Sequence, residues 1–336
     1  MADYLQRLRS KVGHDLLLTT SVTIVVYDEA NRVLAIKHAE GDVWVLPGGG
    51  VEPFESLADA AVREMWEETG LLVEPVRLLG VYGGPEFQIT YRNGDQVSYQ
   101  MMAFEARLVG GALHADGEET KAIAYLSQAE LTERPLPPWM QTVLPHLFPR
   151  PTETRFQPTT WQPPHNGVRK GGMPEHVRQL RQKIGHDLVL TPSVLGLIFD
   201  DQGRLLLQRR ADNGRWSGPA GAIDPNESPA NAIVREAWEE TGVLVTPTRV
   251  LSVFGGKAFA YTYADGDQIV NYGIVFAGRV VGGTPSPDGF ESTAVDFFPL
   301  SNLPLDFISS RWQKLIVNLA DDRGFASFEP STWRPA

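Results

Sequence analysis

"REMWEETG" spans Arg63 to Gly70, and "REAWEETG" spans Arg235 to Gly242. Each octet puts three glutamates within five residues, just before a glycine suited to closing a helix. Carboxylates three and four residues apart share a helix face and repel. A divalent cation is the simplest agent that offsets that repulsion. At 100° per residue, Glu64, Glu67 and Glu68 fall within an arc of about 100°. Leu57, Ala60 and Ala61 share that arc earlier in the helix, so small residues are expected to leave space for a ligand. Trp66 points away from Glu64 and is expected in the core. Arg63 lies beside Glu67 and can hold a carboxylate in place. Three carboxylates on one face, with backbone carbonyls from the glycine-rich "LPGGGVEPFE" before the helix, form a hard oxygen site suited to Mg2+ or Mn2+.

The octets belong to a longer repeat. "LRSKVGHDLLLTTSV" (Leu8 to Val22) returns as "LRQKIGHDLVLTPSV" (Leu180 to Val194), shifted by 172 residues. "NGDQV" from Asn93 returns as "DGDQI" from Asp265, and "FQPTTW" from Phe156 as "FEPSTW" from Phe328. The eight tryptophans pair as Trp44/Trp216, Trp66/Trp238, Trp161/Trp333 and Trp139/Trp312, the last shifted by 173. So long a period means two complete domains rather than a solenoid. The expected division is residues 1–161, a Pro- and Gly-rich linker at 162–173, and residues 174–336.

Composition bounds the rest. The 336 residues suffice for two ordinary domains, with 42% hydrophobic and 21% charged residues. No apolar run is long enough to span a bilayer, and "MADYLQRLRSKVG" lacks a signal-peptide core. The absence of cysteine excludes disulfides, thiolate metal sites and cysteine nucleophiles, and a cytoplasmic location is the default expectation. A net charge of −11 argues against long nucleic acid as a partner, yet suits a small anionic substrate carried with a metal.

Within each unit the pattern predicts a helix carrying Leu5, Leu8 and Val12 (Val177, Leu180 and Ile184 in the second copy), closed by Gly13 or Gly185. "SVTIVVYD" and "RVLAIKH" read as a hairpin, as do "SVLGLIFD" and "RLLLQRR". After the glycine-rich loop, Ser56 and Ser228 are N-cap candidates, with Pro229 at the first helical position. More strands and a C-terminal helix complete each unit. The expected fold class is mixed α/β, a mixed sheet flanked by helices on both faces. His14 and His186 are read as helix-end residues and "GDQ" (Gly94 to Gln96, Gly266 to Gln268) as a turn. Arg209 and Arg210 are candidate phosphate contacts, and their counterparts are Lys37 and His38, so the halves can differ in substrate.

The spacing Gly49, Glu55, Arg63, Glu64, Met65, Glu67, Glu68, Gly70, Leu71 resembles a complete Nudix box, that of the MutT-like hydrolases. Gly221, Glu227, Arg235, Glu236, Ala237, Glu239, Glu240, Gly242 and Val243 form a second. Seven fixed positions match by chance about once in 10⁸, at usual residue frequencies. The resemblance implies two tandem α/β/α sandwiches and metal-dependent hydrolysis of a nucleoside diphosphate linked to another group. It implies that Glu64, Glu67 and Glu68, and Glu236, Glu239 and Glu240, are metal ligands, one of each set acting as base. It further implies ligation by the Gly48 and Ala220 carbonyls, orientation of carboxylates by Arg63 and Arg235, and bracing of the loop by Glu55 and Glu227. Glu119 and Glu291 are candidates for a later glutamate that completes such sites. Departures are Gly218 opposite Leu46, Ala220 where glycine is preferred, and Phe54 and Asn226 where glycine is frequent. Pro85 falls where proline can mark ADP-ribose hydrolases, whereas the second copy has Lys257.

The expected activity is therefore pyrophosphohydrolysis of a small nucleotide, with ADP-ribose-like or sugar nucleotides favoured and (deoxy)nucleoside triphosphates second. A reading from another class makes one domain a non-catalytic nucleotide-binding module. Isoprenoid diphosphate isomerisation, a third chemistry of this fold, typically needs a cysteine that the chain lacks. The duplication itself suggests an internal pseudo-dimer.

Overall fold

The computed structural model describes residues 3–39, 42–115, 117, 119–169, 171–304 and 324–335. In the first half the chain forms α1 (Asp3–Val12), β1 (Leu17–Val25), β2 (Val33–His38), β3 (Trp44–Val45), β4 (Gly48–Gly50) and α2 (Leu57–Thr69). It continues as β5 (Leu71–Tyr82), β6 (Gln88–Thr90), β7 (Gln96–Gly111), β8 (Thr120–Leu126), α3 (Gln128–Thr132), α4 (Pro138–Leu147) and β9 (Arg155–Phe156). The second half repeats the order with α5 (Glu175–Ile184), β10 (Val189–Phe199), β11 (Arg204–Arg210), β12 (Trp216–Ser217), β13 (Ala220–Ala222) and α6 (Pro229–Thr241). It ends in β14 (Val243–Phe254), β15 (Ala260–Thr262), β16 (Gln268–Gly283) and β17 (Ser292–Pro299). Trp312 and the expected C-terminal helix of this half lie outside the described residues.

The large sheet of each half is mixed around a central parallel pair. Leu17 pairs with Val97 where β1 meets β7, and Val189 pairs with Ile269 where β10 meets β16, the same register displaced by 172 residues. Strands β4 and β5 flank the first pair antiparallel, and β13 and β14 flank the second. The expected hairpins pair only at their turns, through the Tyr27–Val33 bridge and the single Phe199–Leu205 pair. Beyond the turn β1 is committed to β7, while β2 joins β3 and β8 in a separate three-stranded sheet.

Strand alternation places helices on both faces. Ile24, Leu78, Met102 and Phe104 cluster with Leu57, Ala61 and Met65 of α2. Their neighbours Val25, Leu79, Met101 and Ala103 cluster with Met140, Val143 and Leu144 of α4. Two expectations from the helical wheel change here. Leu57, Ala60 and Ala61 are fully buried against the sheet, so their small size serves close helix–sheet packing rather than a ligand space. Met65, not Trp66, is the buried apolar residue of the octet, because α2 lies with its Leu57–Ala61–Met65 stripe down on the sheet and leaves Trp66 at the rim, half-buried.

The α2 cluster does not stop at the end of the first half. It runs on into Val194, Ile233, Val270, Tyr272 and Phe276 of the second half. Polar contacts reinforce it. Lys11 pairs with Asp187 at 2.5 Å and Lys183 pairs with Asp15, while the Leu190 amide donates to the buried Tyr4 hydroxyl at 2.9 Å. The tail of each half also reaches across to the other. Phe156 packs edge-on to Phe276, and Phe328 packs edge-on to Phe104. Beyond them, Thr159, Thr160 and Trp161 donate to the Asn231 side-chain oxygen at 2.7–3.0 Å. Ser331, Thr332 and Trp333 donate in the same way to Asp59 at 2.6–2.7 Å. Asp59 and Asn231 both sit in the first turn of their box helix, as N3 residues bonded to the N-cap serine.

Burial works against the Asp59 charge, but the donors from Ser331, Ser56, Trp333 and Thr332 outweigh it and hold the carboxyl below its ordinary range. A depressed pKa stabilises the fold above the unfolded-state value and loses that contribution as pH falls through the folded value. Asp59→Ala should therefore lower unfolding free energy by about 1–3 kcal/mol at neutral pH. Asp59→Asn, the residue used by the second half, should cost less. The Asp59 contribution should shrink as pH falls below about 4, as urea unfolding of the three proteins at pH 7 and pH 3 would show.

Candidate functional site

Local chemistry sets the box helix in place. Ser56 accepts from the Asp59 amide at 3.1 Å and Ser228 from the Asn231 amide at 3.3 Å, the N-caps expected from sequence. Gly70 and Gly242 close the helices in the left-handed conformation at φ 67° and 70°. Phe54 (φ 68°) and Asn226 (φ 62°) are left-handed as well, so the two positions where glycine was expected keep glycine's backbone. Asparagine tolerates this readily, but phenylalanine carries a steric cost of about 1–2 kcal/mol.

Arg63 is the hub of the first site. Its Nε and Nη2 donate to the two carboxylate oxygens of Glu55 at 2.8 and 2.9 Å. Nη2 also reaches the Gly50 carbonyl, and Nη1 donates to Glu64 at 2.7 Å and Glu67 at 3.1 Å. Glu55 in turn accepts the Glu52 amide at 3.0 Å, which closes the loop on itself. Arg235 repeats every bond, with Glu227 at 2.8 Å twice, Glu236 at 2.6 Å, Glu239 at 3.1 Å and the Ala222 carbonyl at 2.8 Å. The last glutamate of each octet turns to the loop instead. Glu68 accepts the Gly48 amide at 2.8 Å, and Glu240 accepts the Ala220 amide at 2.9 Å. It is thus the amide of Gly48 and of Ala220 that the structure ties to the cluster. Gly48 has φ 150°, while Ala220 takes ordinary strand backbone, so the glycine-to-alanine departure is accommodated without strain.

Glycine is required one residue later for a different reason. A Cβ on Gly49 would stand 2.6 Å from the Glu64 carboxylate, and one on Gly221 would stand 2.2 Å from that of Glu236. The carboxylates lie in cradles formed by bare backbone. Burial raises Glu64 to a pKa of about 7; Arg63 opposes the shift, and the charges of Glu67 and Glu55 add to it. Glu236 is raised to about 7 in the same way, chiefly by burial, with Glu239 and Glu291 adding repulsion. Glu240 is pushed well up by burial and then by Glu236, and Glu239 is raised by burial. One guanidinium per site leaves the cluster short of positive charge.

Among the described residues no three acidic or imidazole side chains converge closely enough to hold a metal ion as they stand. The donor chemistry nevertheless fits one: carboxylate oxygens, buried and mutually repelling, held against bare glycine backbone, are what a hard divalent cation binds. Of the later glutamates, Glu291 acts electrostatically on Glu236 and Glu240, whereas Glu119 is exposed. Their carbonyls play matching parts, accepting from Ala211 and Ala39 at 2.8 Å. Arg209 donates to the Gly214 carbonyl within its own hairpin, and Arg210 pairs with Asp212 while lying within electrostatic reach of Glu240. His14 and His186 bond Asp95 and Asp267 at 2.8 and 2.7 Å, fastening the end of the opening helix to the "GDQ" turn. The halves differ at the second glutamate: the Glu67 side chain is 57% exposed, and that of Glu239 is 15% exposed.

A cavity of about 450 Å³ opens beside Gly48 and Gly49, lined by Phe87, Tyr91, Tyr99 and Trp139 among others. The hydroxyls of Tyr91 and Tyr99 meet at 2.8 Å. The sequence reading did not single out these aromatics as a group, although Tyr91 and Tyr99 bracket the "NGDQV" turn it did identify. In the second half the matching strand positions differ. Asn271 replaces Tyr99, and Gly273 replaces Met101. A Cβ on Gly273 would stand 2.0 Å from the Phe254 ring, which stacks on Phe259 at 4.4 Å between centroids.

The NUDIX domain family model matches the chain twice, at residues 17–147 and 189–316. A Bacillus subtilis (strain 168) protein named "Putative 8-oxo-dGTP diphosphatase" is 34% identical over 115 residues, 34% of this chain and 70% of that one. A MutT-like protein of Streptomyces ambofaciens is 36% identical over 118 residues, 35% and 70% of the two chains. An ADP-ribose pyrophosphatase of Methanocaldococcus jannaschii is 35% identical over 103 residues, 30% and 57% of the two. The crystal structure of a MutT protein from Methanosarcina mazei Go1 superposes with a TM-score of 0.33 at 23% identity, covering 40% of this chain and 97% of that one. No described helix is long and apolar enough to cross a membrane. With two family matches that cover most of its length and a box network built twice, the chain belongs to the Nudix family of pyrophosphohydrolases.

Proposed function

We propose that both halves hydrolyse a small nucleotide in which a diphosphate links a nucleoside to another moiety, with Mg2+ or Mn2+ as cofactor. The observation that carries this reading is the duplicated network in which one buried arginine aligns three carboxylates against a bare-glycine cradle. Glu64, Glu67 and Glu68 are the proposed metal ligands of the first site, and Glu236, Glu239 and Glu240 those of the second. The Gly48 and Ala220 carbonyls join them, with Glu291 as a further ligand of the second site and Glu119 of the first. Bound there, the ion would neutralise charge on phosphoryl oxygens and acidify a water molecule. Arg63 and Arg235 hold two carboxylates of each set in register, while Glu55 and Glu227 fix the arginine and the loop together. One glutamate of each set takes the proton of the attacking water.

The aromatic cavity beside Gly49 suits a nucleobase, stacked on flat faces at one end with its phosphates near the box. ADP-ribose-like and sugar nucleotides are the favoured substrates, in keeping with the name of the archaeal relative. Nucleoside triphosphates are the second choice, in keeping with that of the Bacillus relative. Arg209 and Arg210 are proposed phosphate contacts of the second site, whose altered strand positions favour a different substrate there. The division at residues 162–173, the pairing of the halves as an internal pseudo-dimer and a cytoplasmic location belong to the same proposal. The shared apolar cluster and exchanged tails support the pairing.

Glu67→Gln combined with Glu239→Gln should reduce nucleotide hydrolysis at least about 100-fold, and chelation should do the same until Mg2+ is restored. Phosphate release from a panel of ADP-sugars, dinucleotides and triphosphates measures it; undiminished rates in the double variant would refute the assignment. Gly49→Ala should lower first-site turnover about 10-fold or more by driving a methyl into the Glu64 carboxylate. Gly221→Ala should do so at the second site. Each is read with the opposite site silenced.

A further inference from the structure

The loops that carry Glu55 and Glu227 are each fastened by the other half of the chain. The Tyr272 hydroxyl, from β16 of the second half, donates to the carbonyls of Glu52 and Glu55 at 3.0 and 2.9 Å. The Lys257 amide donates to the Phe54 carbonyl at 3.0 Å. In the reverse direction Gln100 of β7, at the position matching Tyr272, donates through Nε2 to the Glu227 carbonyl at 2.9 Å. The Asn226 amide donates to Ser98 at 3.2 Å. Glycines clear the path: a Cβ on Gly255 would lie 2.1 Å from the Tyr272 ring, and one on Gly83 would lie 2.1 Å from the Gln100 amide.

We propose that Tyr272 and Gln100 are positioning residues in trans, each setting the geometry of the box in the half it does not belong to. The relay is short. Tyr272 holds the backbone of Glu55, the Glu55 carboxylate holds the Nε–Nη2 edge of Arg63, and Nη1 of Arg63 aligns Glu64 and Glu67. Gln100 reaches Glu236 and Glu239 by the equivalent path through Glu227 and Arg235. Every link has donor and acceptor within ordinary hydrogen-bond distance, and Tyr272 itself is fully buried, so its hydroxyl depends on these carbonyls for a partner. The loop turns at Pro53 and the left-handed Phe54, and within it the Glu52 carbonyl also accepts the Glu55 amide at 3.2 Å. The links are unequal. The first box accepts from Tyr272 and from the Lys257 amide, whereas the second accepts from Gln100 and itself donates to Ser98; Pro85 occupies the position of Lys257 and has no amide hydrogen, so that bond has no counterpart.

This inference rests on the proposed hydrolysis, so its test carries a readout independent of turnover. In the full-length chain with the second site silenced by Glu239→Gln, Tyr272→Phe should lower kcat about 5-fold or more and leave KM within about twofold. With the first site silenced by Glu67→Gln, the same Tyr272→Phe change should leave kcat within about twofold. Gln100→Glu, which keeps the shape but cannot donate, should give the mirror-image pattern. Hydrogen exchange is read alongside: Tyr272→Phe should accelerate exchange of the 52–56 amides and spare 224–228, and Gln100→Glu the reverse. Loss confined to the half that bears the substitution, equal loss at both sites, or unchanged exchange at the facing loop would overturn the proposal. If the wild-type chain hydrolyses nothing, the functional reading fails by itself, and the exchange pattern still decides the coupling.

Discussion

A single buried guanidinium per half carries the architecture of each site. Arg63 is 15% exposed and Arg235 13%, and each meets three carboxylates and a backbone carbonyl with its five N–H groups. Burial disfavours the charge of both arginines, yet the surrounding carboxylates outweigh it and keep them protonated. The fork geometry matters as much as the charge, since a lysine could not span Glu55 in two places and still reach Glu64. Remove the fork and Glu64 is left as a buried carboxylate with acidic neighbours, a costly arrangement without countercharge. Box loop and box helix are therefore one unit, and the sheet supplies the platform on which it rests.

Much of this was legible in the sequence because it is local. The N-cap serine, the closing glycine and the pairing of Arg63 with Glu67 all lie within the fifteen residues from Ser56 to Gly70; that the same arginine also binds Glu55 and Glu64 was not read from the sequence. Repetition at constant offset exposed the duplication and the shared strand register. Helix orientation was less legible. A wheel shows which residues share a face but not which face meets the sheet, and so Ala60 and Ala61 were assigned to ligand space and Trp66 to the core. The hairpins were read correctly at their turns, but not in the divergence of β1 and β2, which long-range pairing with β7 and β8 decides. The aromatic cavity and the contacts between halves left no pattern to read. At the box loops Tyr272, Lys257 and Gln100 donate to backbone carbonyls and Ser98 accepts the Asn226 amide, and the residues involved differ between copies, Tyr272 against Gln100 and Ser98 against Val270.

The two halves have kept the network and changed what surrounds it. Glycine replaces methionine at position 273, and Phe254 fills the space against Phe259. Gln208 stands beside Glu240 where the first half has a buried Ile36. Strand residues around the box thus differ between the halves, while the bonds among the loop, the arginine and the glutamates repeat one for one.

The crossed tails carry a consequence for association. Trp161 is fastened to the second half and Trp333 to the first, so each half completes a surface that its own chain leaves open. In two separate subunits such an exchange would depend on protein concentration. Here the chain between Trp161 and Pro174 joins the halves, and a connection of that length corresponds to a local concentration on the order of millimolar. Dilution therefore leaves these contacts unweakened, whereas it would loosen the same exchange between separate subunits.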